Sequence, residues 1–274
     1  MSTIRDVASN GAEAAFFDLD KTIIAKSSAL AFGRPFYSSG LIDRRAVLKS
    51  AYAQFMFSLQ GADAAQMDKM RDSMAKMCKG WDVAQVTQIV DETLHDLIDP
   101  IVYAEAVDLI ELHRAAGHDV VIVSSSGAEV VGPIGKLLGV DHVIATQMEV
   151  VDGRYTGTIA YYAYGPNKAA AITDLAAQRG YDLVGSFAYS DSITDLPMLE
   201  LVGHPNVVNP DRALRKIAVE RHWPISDFRK PVRLRDRIGR IPAPPKPVTA
   251  GAAVGIAAGA AVGAALLARR RRQL

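Results

Sequence analysis

The spacing of apolar residues changes near residue 100. Before that point there is one short apolar run, "AAFF" at 14–17, followed by stretches whose apolar positions recur every three or four residues. These are "RRAVLKSAYAQFMFSL" (44–59), "AAQMDKMRDSMAKMCKG" (64–80) and "VAQVTQIVDETLHDLI" (83–98), punctuated by Gly61, Gly80 and Asp99-Pro100. This spacing predicts a region that is helical throughout from Ile24 to about residue 98. Met67, Met70, Met74 and Met77 fall on one helical face and are expected to pack inward.

From Pro100 on, strand and helix patterns alternate. "IVYAEAVDLIELHRAAG" reads as a helix ending at Gly117, and "DVVIVSSSG" as a fully buried strand running into a small-residue turn. "AEVVGPIGKLLG" is a weaker helix and "HVIATQ" a short strand, while "MEVVDGRYTG" alternates about Asp152-Gly153 as a hairpin does. The helix "NKAAAITDLAAQRG" and the strands "SFAYSD" and "NVVNP" follow. Such alternation implies right-handed crossovers and a mostly parallel α/β sheet with helices on both faces, Rossmann-like in plan. The helical insert then forms a cap over the carboxyl ends of the strands, where open α/β folds bind ligands. The expected core is 13–30 with 99–230, and the cap is 31–98.

Charge and composition narrow the function. With 274 residues and a net charge of +1, the chain can bury an adequate core and does not resemble a nucleic-acid binder. Cys78 is the only cysteine, so no intrachain disulfide is expected. The first residues lack the basic-then-apolar pattern of a cleaved signal, and a cytoplasmic catalytic domain is expected. The end of the chain differs in kind. A basic, Pro-rich linker is expected over 231–247, and 248–268 holds 21 uncharged residues, ten of them Ala and four Gly. That is long enough for a transmembrane helix, and Gly251, Gly255, Gly259 and Gly263 make a face on which two such helices can pair. A basic tail, 269–274, closes the chain, and membrane association through this end is expected.

Candidate chemistry begins in "AAFFDLDKTII". A buried strand ends by setting Asp18 and Asp20 one residue apart, and each carboxylate raises the pKa of the other unless a positive charge sits near them. Three other stretches reach the same sheet edge: Ser124 closing "VVIV", Lys168 opening the helix after "YGPN", and Asp191 with Asp195 in "YSDSITDLPML". Asp18, Asp20 and Asp191 together form an oxygen-rich set suited to Mg2+, the missing positive charge. A carboxylate can act as nucleophile in phosphoryl transfer, and a second, two residues on, can protonate the leaving oxygen. A lysine and a hydroxyl can neutralise and orient the phosphoryl oxygens.

In this order, "DLDKT", "VSSSG", a lone Lys and "SDSITD" resemble the haloacid dehalogenase superfamily, and within it the phosphoserine-phosphatase-like branch, subfamily IB. The resemblance covers about residues 13 to 228. It implies Asp18 as nucleophile, Asp20 as acid/base and Thr22 as support for the motif turn, grouped with Ser124 and Lys168 at the phosphate. It implies Mg2+ held by the Asp18 carboxylate, the Asp20 backbone carbonyl and Asp191. Asp195 would ligate it too, or orient Lys168 and metal-bound water. The family's glutamate for a substrate amino group is missing from "IIAKSSA", its "SGG" is "SSS" here, and Ser190 stands where a Gly is usual. A small phosphorylated substrate is expected, with phosphoserine itself in doubt.

Other sites fit less well. No G-x-G-x-x-G follows the first strand, "GPNK" lacks the glycine spacing of a P-loop, and the six His show no zinc-ligand spacing. Arg71 and Lys76 read as exposed cap residues. A phosphotransferase or phosphonatase using the same site, and a membrane-tethered regulatory or binding protein, stand as alternatives.

Overall fold

The computed structural model describes residues 11–42 and 64–231. Its seven-stranded sheet runs in the order β4-β3-β2-β1-β5-β6-β7. The strands are β1 (Ala14–Phe17), β2 (Asp119–Gly127), β3 (His142–Val151), β4 (Arg154–Tyr161), β5 (Phe187–Ser190), β6 (His204–Val208) and β7 (Ile225–Ser226). β1 lies between β2 and β5, and every pairing is parallel except that of β3 with β4.

A strand covered on both faces has no reason to alternate polar with apolar residues, and all four residues of β1 are buried. Its side chains still alternate between two cores. Ala15 and Phe17 join Val120 and Ile122 against α4 (Val83–Ile98), α5 (Ala104–Ala115) and α6 (Ala128–Leu138). Ala14 and Phe16 join Val121 and Val123 against α7 (Pro166–Arg179), α8 (Leu196–Glu200) and α9 (Arg212–Glu220). Phe16 and Phe17 each contribute about 1.5–3 kcal/mol by burial, on opposite sides of the sheet.

The insert between β1 and β2 packs against the core. Its earlier helices are α1 (Ser28–Ala31), α2 (Gly33–Ser38) and α3 (Ala64–Met77). The Asp82 carboxylate caps α4 by accepting from the backbone N–H groups of Ala84 and Gln85. Four-residue spacing then sets Val86, Val90, Leu94 and Ile98 on one buried face, and three of these enter the core beside Phe17. Before α4, Gly80 N–H donates to Tyr155 O at 2.8 Å and Val83 N–H to Gly153 O at 2.9 Å, docking the insert on the β3–β4 hairpin. The hairpin turns at Asp152 (φ 50°) and Gly153 (φ 74°), the paired positive φ values of a type I′ turn.

Several expectations need correction. The region after Ile24 is not helical throughout: its first helix starts only at Ser28, the chain breaks at Phe32 between α1 and α2, and 39–42 and 78–82 are not helical. "HVIATQ" and the first arm of the hairpin are a single strand, β3, because pairing with β2 passes directly into pairing with β4. The helix expected from Ile101 begins at Ala104, since Val102 bridges to Ile24 and Tyr103 to Pro231. Met74 is 46% exposed, and α3 instead buries the neighbouring Ala75. The helix expected over 44–59, nearly all of the linker, the apolar 248–268 segment and the basic tail lie outside the described residues. So do the side chains of Met67 and Met70. Among the described residues, no helix is long and apolar enough to cross a membrane.

Candidate active site

The carboxyl edge of the sheet carries the acids. Asp18 directly follows β1, and its N–H still donates to Tyr189 O on β5 at 2.9 Å. The chain then turns sharply, with Leu19 O accepting from both Ile23 N and Ile24 N. Lys21 takes a left-handed φ of 61° in this turn. For a residue with a side chain that costs about 1–2 kcal/mol, and such strain is held where the surroundings fix it. Thr22 is fully buried beneath the turn, and its hydroxyl has no hydrogen-bond partner among the described residues.

Lys168 enters from the opposite side. Gly165 (φ 55°) bends the chain, and Pro166 starts α7 where an N–H is not needed. Two residues later the Lys168 side chain is 2% exposed, and its Nζ donates to Asp18 Oδ1 at 2.6 Å and to Asp195 Oδ2 at 2.9 Å. Ser190 Oγ also donates to Asp195 Oδ2, at 2.7 Å. Asp211 braces this loop on α9. Its carboxylate accepts from Ile193 N and Leu214 N, each at 2.8 Å, and its own N–H donates to Asp191 O at 2.7 Å.

Charge is unevenly matched here. Asp18, Asp191 and Asp195 are buried against one buried lysine, with the largely exposed Lys21 Nζ 3.8 Å from Asp191. Burial drives the Asp18 carboxyl above the ordinary carboxylate range. Lys168 pulls it back, and Asp195 pushes it up again. Burial likewise pushes Asp191 up to about 6, against Lys21 and with Asp195. Burial opposes the charge on Lys168, but Asp18 and Asp195 more than offset this and hold it protonated.

These groups enclose a pocket of about 140 Å³. Of the residues singled out in the sequence, Asp18, Asp20, Lys168, Asp191 and Asp195 line it, while Ser124 and Thr22 do not. Ser124 is 1% exposed, and its Oγ accepts from Ser126 N. The wall instead includes Ser125, Tyr164 and Thr194, which the sequence did not single out. Three consecutive serines were visible, but β2 is irregular between Ser124 and Gly127, so simple alternation does not tell which faces the pocket. Tyr164 stacks on Tyr162 at 5.2 Å, and the Arg71 guanidinium lies 5.3 Å over the Tyr162 ring. Arg71, expected on an open face, thus reaches from α3 to Tyr162, the ring that stacks behind the pocket-lining Tyr164. Among the described residues, no three His, Cys, Asp or Glu side chains form a ready metal cluster. Lys168 stands between Asp18 and Asp195.

Acids and a buried lysine thus gather at the carboxyl edge of a mostly parallel α/β sheet, an arrangement suited to handling a phosphoryl group. The chain belongs to the haloacid dehalogenase-like hydrolases, whose sequence model matches residues 15–200. It is 63% identical to a probable phosphatase of Mycobacterium tuberculosis over 244 residues, 89% of this chain and 84% of that one. A phosphoserine phosphatase of the same organism is 35% identical over 218 residues, 79% of this chain and 71% of that one. A solved protein of unknown function from Bordetella pertussis superposes with a TM-score of 0.71 at 29% identity, covering 80% of this chain and 99% of that one. The chain is a hydrolase of this family, phosphoserine-phosphatase-like in its pattern.

Proposed function

We propose that the protein hydrolyses a small phosphomonoester in two steps with the help of Mg2+. An Asp18 carboxylate oxygen attacks phosphorus, forming an aspartyl phosphate as the bond to the leaving oxygen breaks and Asp20 gives that oxygen its proton. Water then attacks the phosphorus, Asp20 takes its proton, and the bond to Asp18 breaks. Lys168 stabilises charge on the phosphoryl oxygens and keeps Asp18 in place. The observation that carries this reading is the Lys168 ammonium 2.6 Å from Asp18, with Asp20 two residues along on the same pocket wall.

The donor set fits a hard cation. It is all oxygen, and its buried acids outnumber its buried lysine, with Asp18 and Asp191 both pushed up by burial. Asp18, Asp191 and the Asp20 carbonyl would hold it, with Asp195, which accepts from Lys168 and Ser190, orienting the lysine beside it. When bound, it supplies positive charge beside the phosphoryl group. The test is phosphate release by the intact chain across phosphoserine, sugar phosphates and lysophosphatidic acid, with thermal unfolding followed alongside. We expect release that requires Mg2+, stops with excess chelator and returns when Mg2+ is restored, and an unfolding midpoint that rises with Mg2+. Release unaffected by chelator would contradict the metal requirement. Silence on every ester from folded protein would contradict the hydrolase reading of this substrate class.

Phosphoserine belongs in that panel because a relative carries its name. The segment after the acids here, Ala25 to Ser28, offers no carboxylate for an amino group. The sequence of the chain's end supports a second element of the proposal: residues 248–268 tether the enzyme to a membrane, and the glycine spacing lets two such segments pair. A chain lacking 241–274 is expected to lose its partitioning to lipid vesicles. Equal partitioning with and without that segment would rule the tether out.

A further inference from the structure

The carboxyl of Asp20 is fixed by groups outside the acid motif. Its Oδ1 accepts from the backbone N–H of Ser28 at 2.8 Å, and its Oδ2 lies 3.4 Å from Ser126 Oγ. The Ser28 and Ser126 hydroxyls are 2.8 Å apart, although 98 residues separate them in sequence. Ser28 is fully buried and opens α1 of the insert, while Ser126 stands at the end of β2, its N–H donating to Ser124 Oγ at 3.2 Å. The entry to the insert and the end of β2 therefore meet on one carboxylate.

The geometry points to Ser126 as a positioning residue for proton transfer by Asp20, with Ser28 as its relay; this rests on Asp20 being the acid. Ser28 N–H holds Oδ1, so Oδ2, which has a second lone pair beside the one facing Ser126, is the oxygen left to exchange a proton with the leaving group. With the Ser28 hydroxyl donating to Ser126, the Ser126 hydroxyl is free to donate to Asp20 Oδ2, and the pair together prevent the carboxyl from rotating. A 3.4 Å separation is long for an O–H···O contact, and catalytic hydrogen bonds of this kind tighten once substrate is bound. Ser126 acts through Asp20 and forms no bond with the substrate in either step.

The test is a series of phosphate esters of rising leaving-group basicity, from p-nitrophenyl phosphate through phenyl phosphate to an alkyl phosphate. For each, kcat/KM, which reports departure of the leaving group, is measured. A good leaving group departs without a proton, whereas a poor one needs the acid. Ser126→Ala is expected to leave p-nitrophenyl phosphate nearly unchanged and to lose about tenfold on the alkyl ester, part of the roughly 10²–10⁴-fold a placed general acid supplies. Ser126→Thr, which keeps the hydroxyl, should restore the shallow wild-type dependence, and Ser28→Ala should reproduce the Ser126→Ala slope. A uniform loss across the series in Ser126→Ala, or a slope equal to wild type, would overturn the inference. Asp20→Asn separates the two levels: a steep slope in that variant with a wild-type slope in Ser126→Ala defeats the inference alone. A wild-type slope in Asp20→Asn defeats the acid role itself.

Discussion

Replacing Asp18 with Asn is expected to abolish phosphate release and, at neutral pH, to raise the unfolding temperature. The activity loss follows from removing the attacking oxygen and should be at least about 10⁴-fold, the scale on which loss of a nucleophile is felt. The stability gain follows from charge. Burial raises the folded pKa of Asp18 above its unfolded value, so the fold prefers this carboxyl protonated. That preference is fully met below the unfolded pKa and is lost as pH rises through the folded pKa. Asn stays neutral throughout and leaves Lys168 paired with Asp195 at 2.9 Å. The advantage of the variant should therefore be near zero at pH 4 and grow towards pH 9 in thermal unfolding. An Asp18→Asn protein that turns over normally, or is less stable than wild type at pH 9, would contradict this account of the site.

Replacing Lys168 with Ala is expected to lower both activity and stability. In the structure its ammonium is the buried partner of Asp18 and Asp195. Removing one member of a buried ion group and leaving the others unpaired costs about 3–5 kcal/mol. Asp18, which burial already pushes above the ordinary carboxylate range, can escape part of that penalty by taking up a proton, so the loss should be smallest in acid and largest above neutral pH. Turnover should fall by about 10²–10³, as when one charge-stabilising donor is removed from an oxyanion site. The two variants thus share a direction in kinetics and oppose each other in stability. Parallel thermal unfolding curves across pH read this difference. Lys168→Ala equal to wild type in stability at pH 8 would mean that the ammonium does not compensate the acids.

The central strands were legible because their apolar runs were unbroken. "AAFF" and "VVIV", short apolar runs bounded by polar turn residues, read as strands buried on both faces, and each ended in groups that the fold brings to one edge. Asp152-Gly153 was equally plain, since only a primed turn asks for positive φ at both positions. The parts that were not legible depend on contacts distant in sequence. Nothing near Ser28 in the chain indicates that it meets Ser126, because that contact forms only when the entry to the insert folds over the end of β2. The methionine stripe misled at Met74 because helical spacing says which residues share a face but not what the face meets. Tyr164 had no signal of its own. It enters the pocket wall because Gly165 turns the chain just before the helix that carries Lys168.

The central claim is that Asp18 carries the phosphoryl group between the two steps. The direct test is an acid quench of the intact enzyme with Mg2+ and a turned-over phosphate ester, followed by mass analysis of its peptides. The account predicts that the peptide containing residues 14–21 gains the mass of one phosphoryl group, with the modification on Asp18, and that the gain disappears in Asp18→Asn. A phosphoryl group found stably on another residue of an active enzyme would contradict it. So would its consistent absence when leaving-group release precedes phosphate release in a burst.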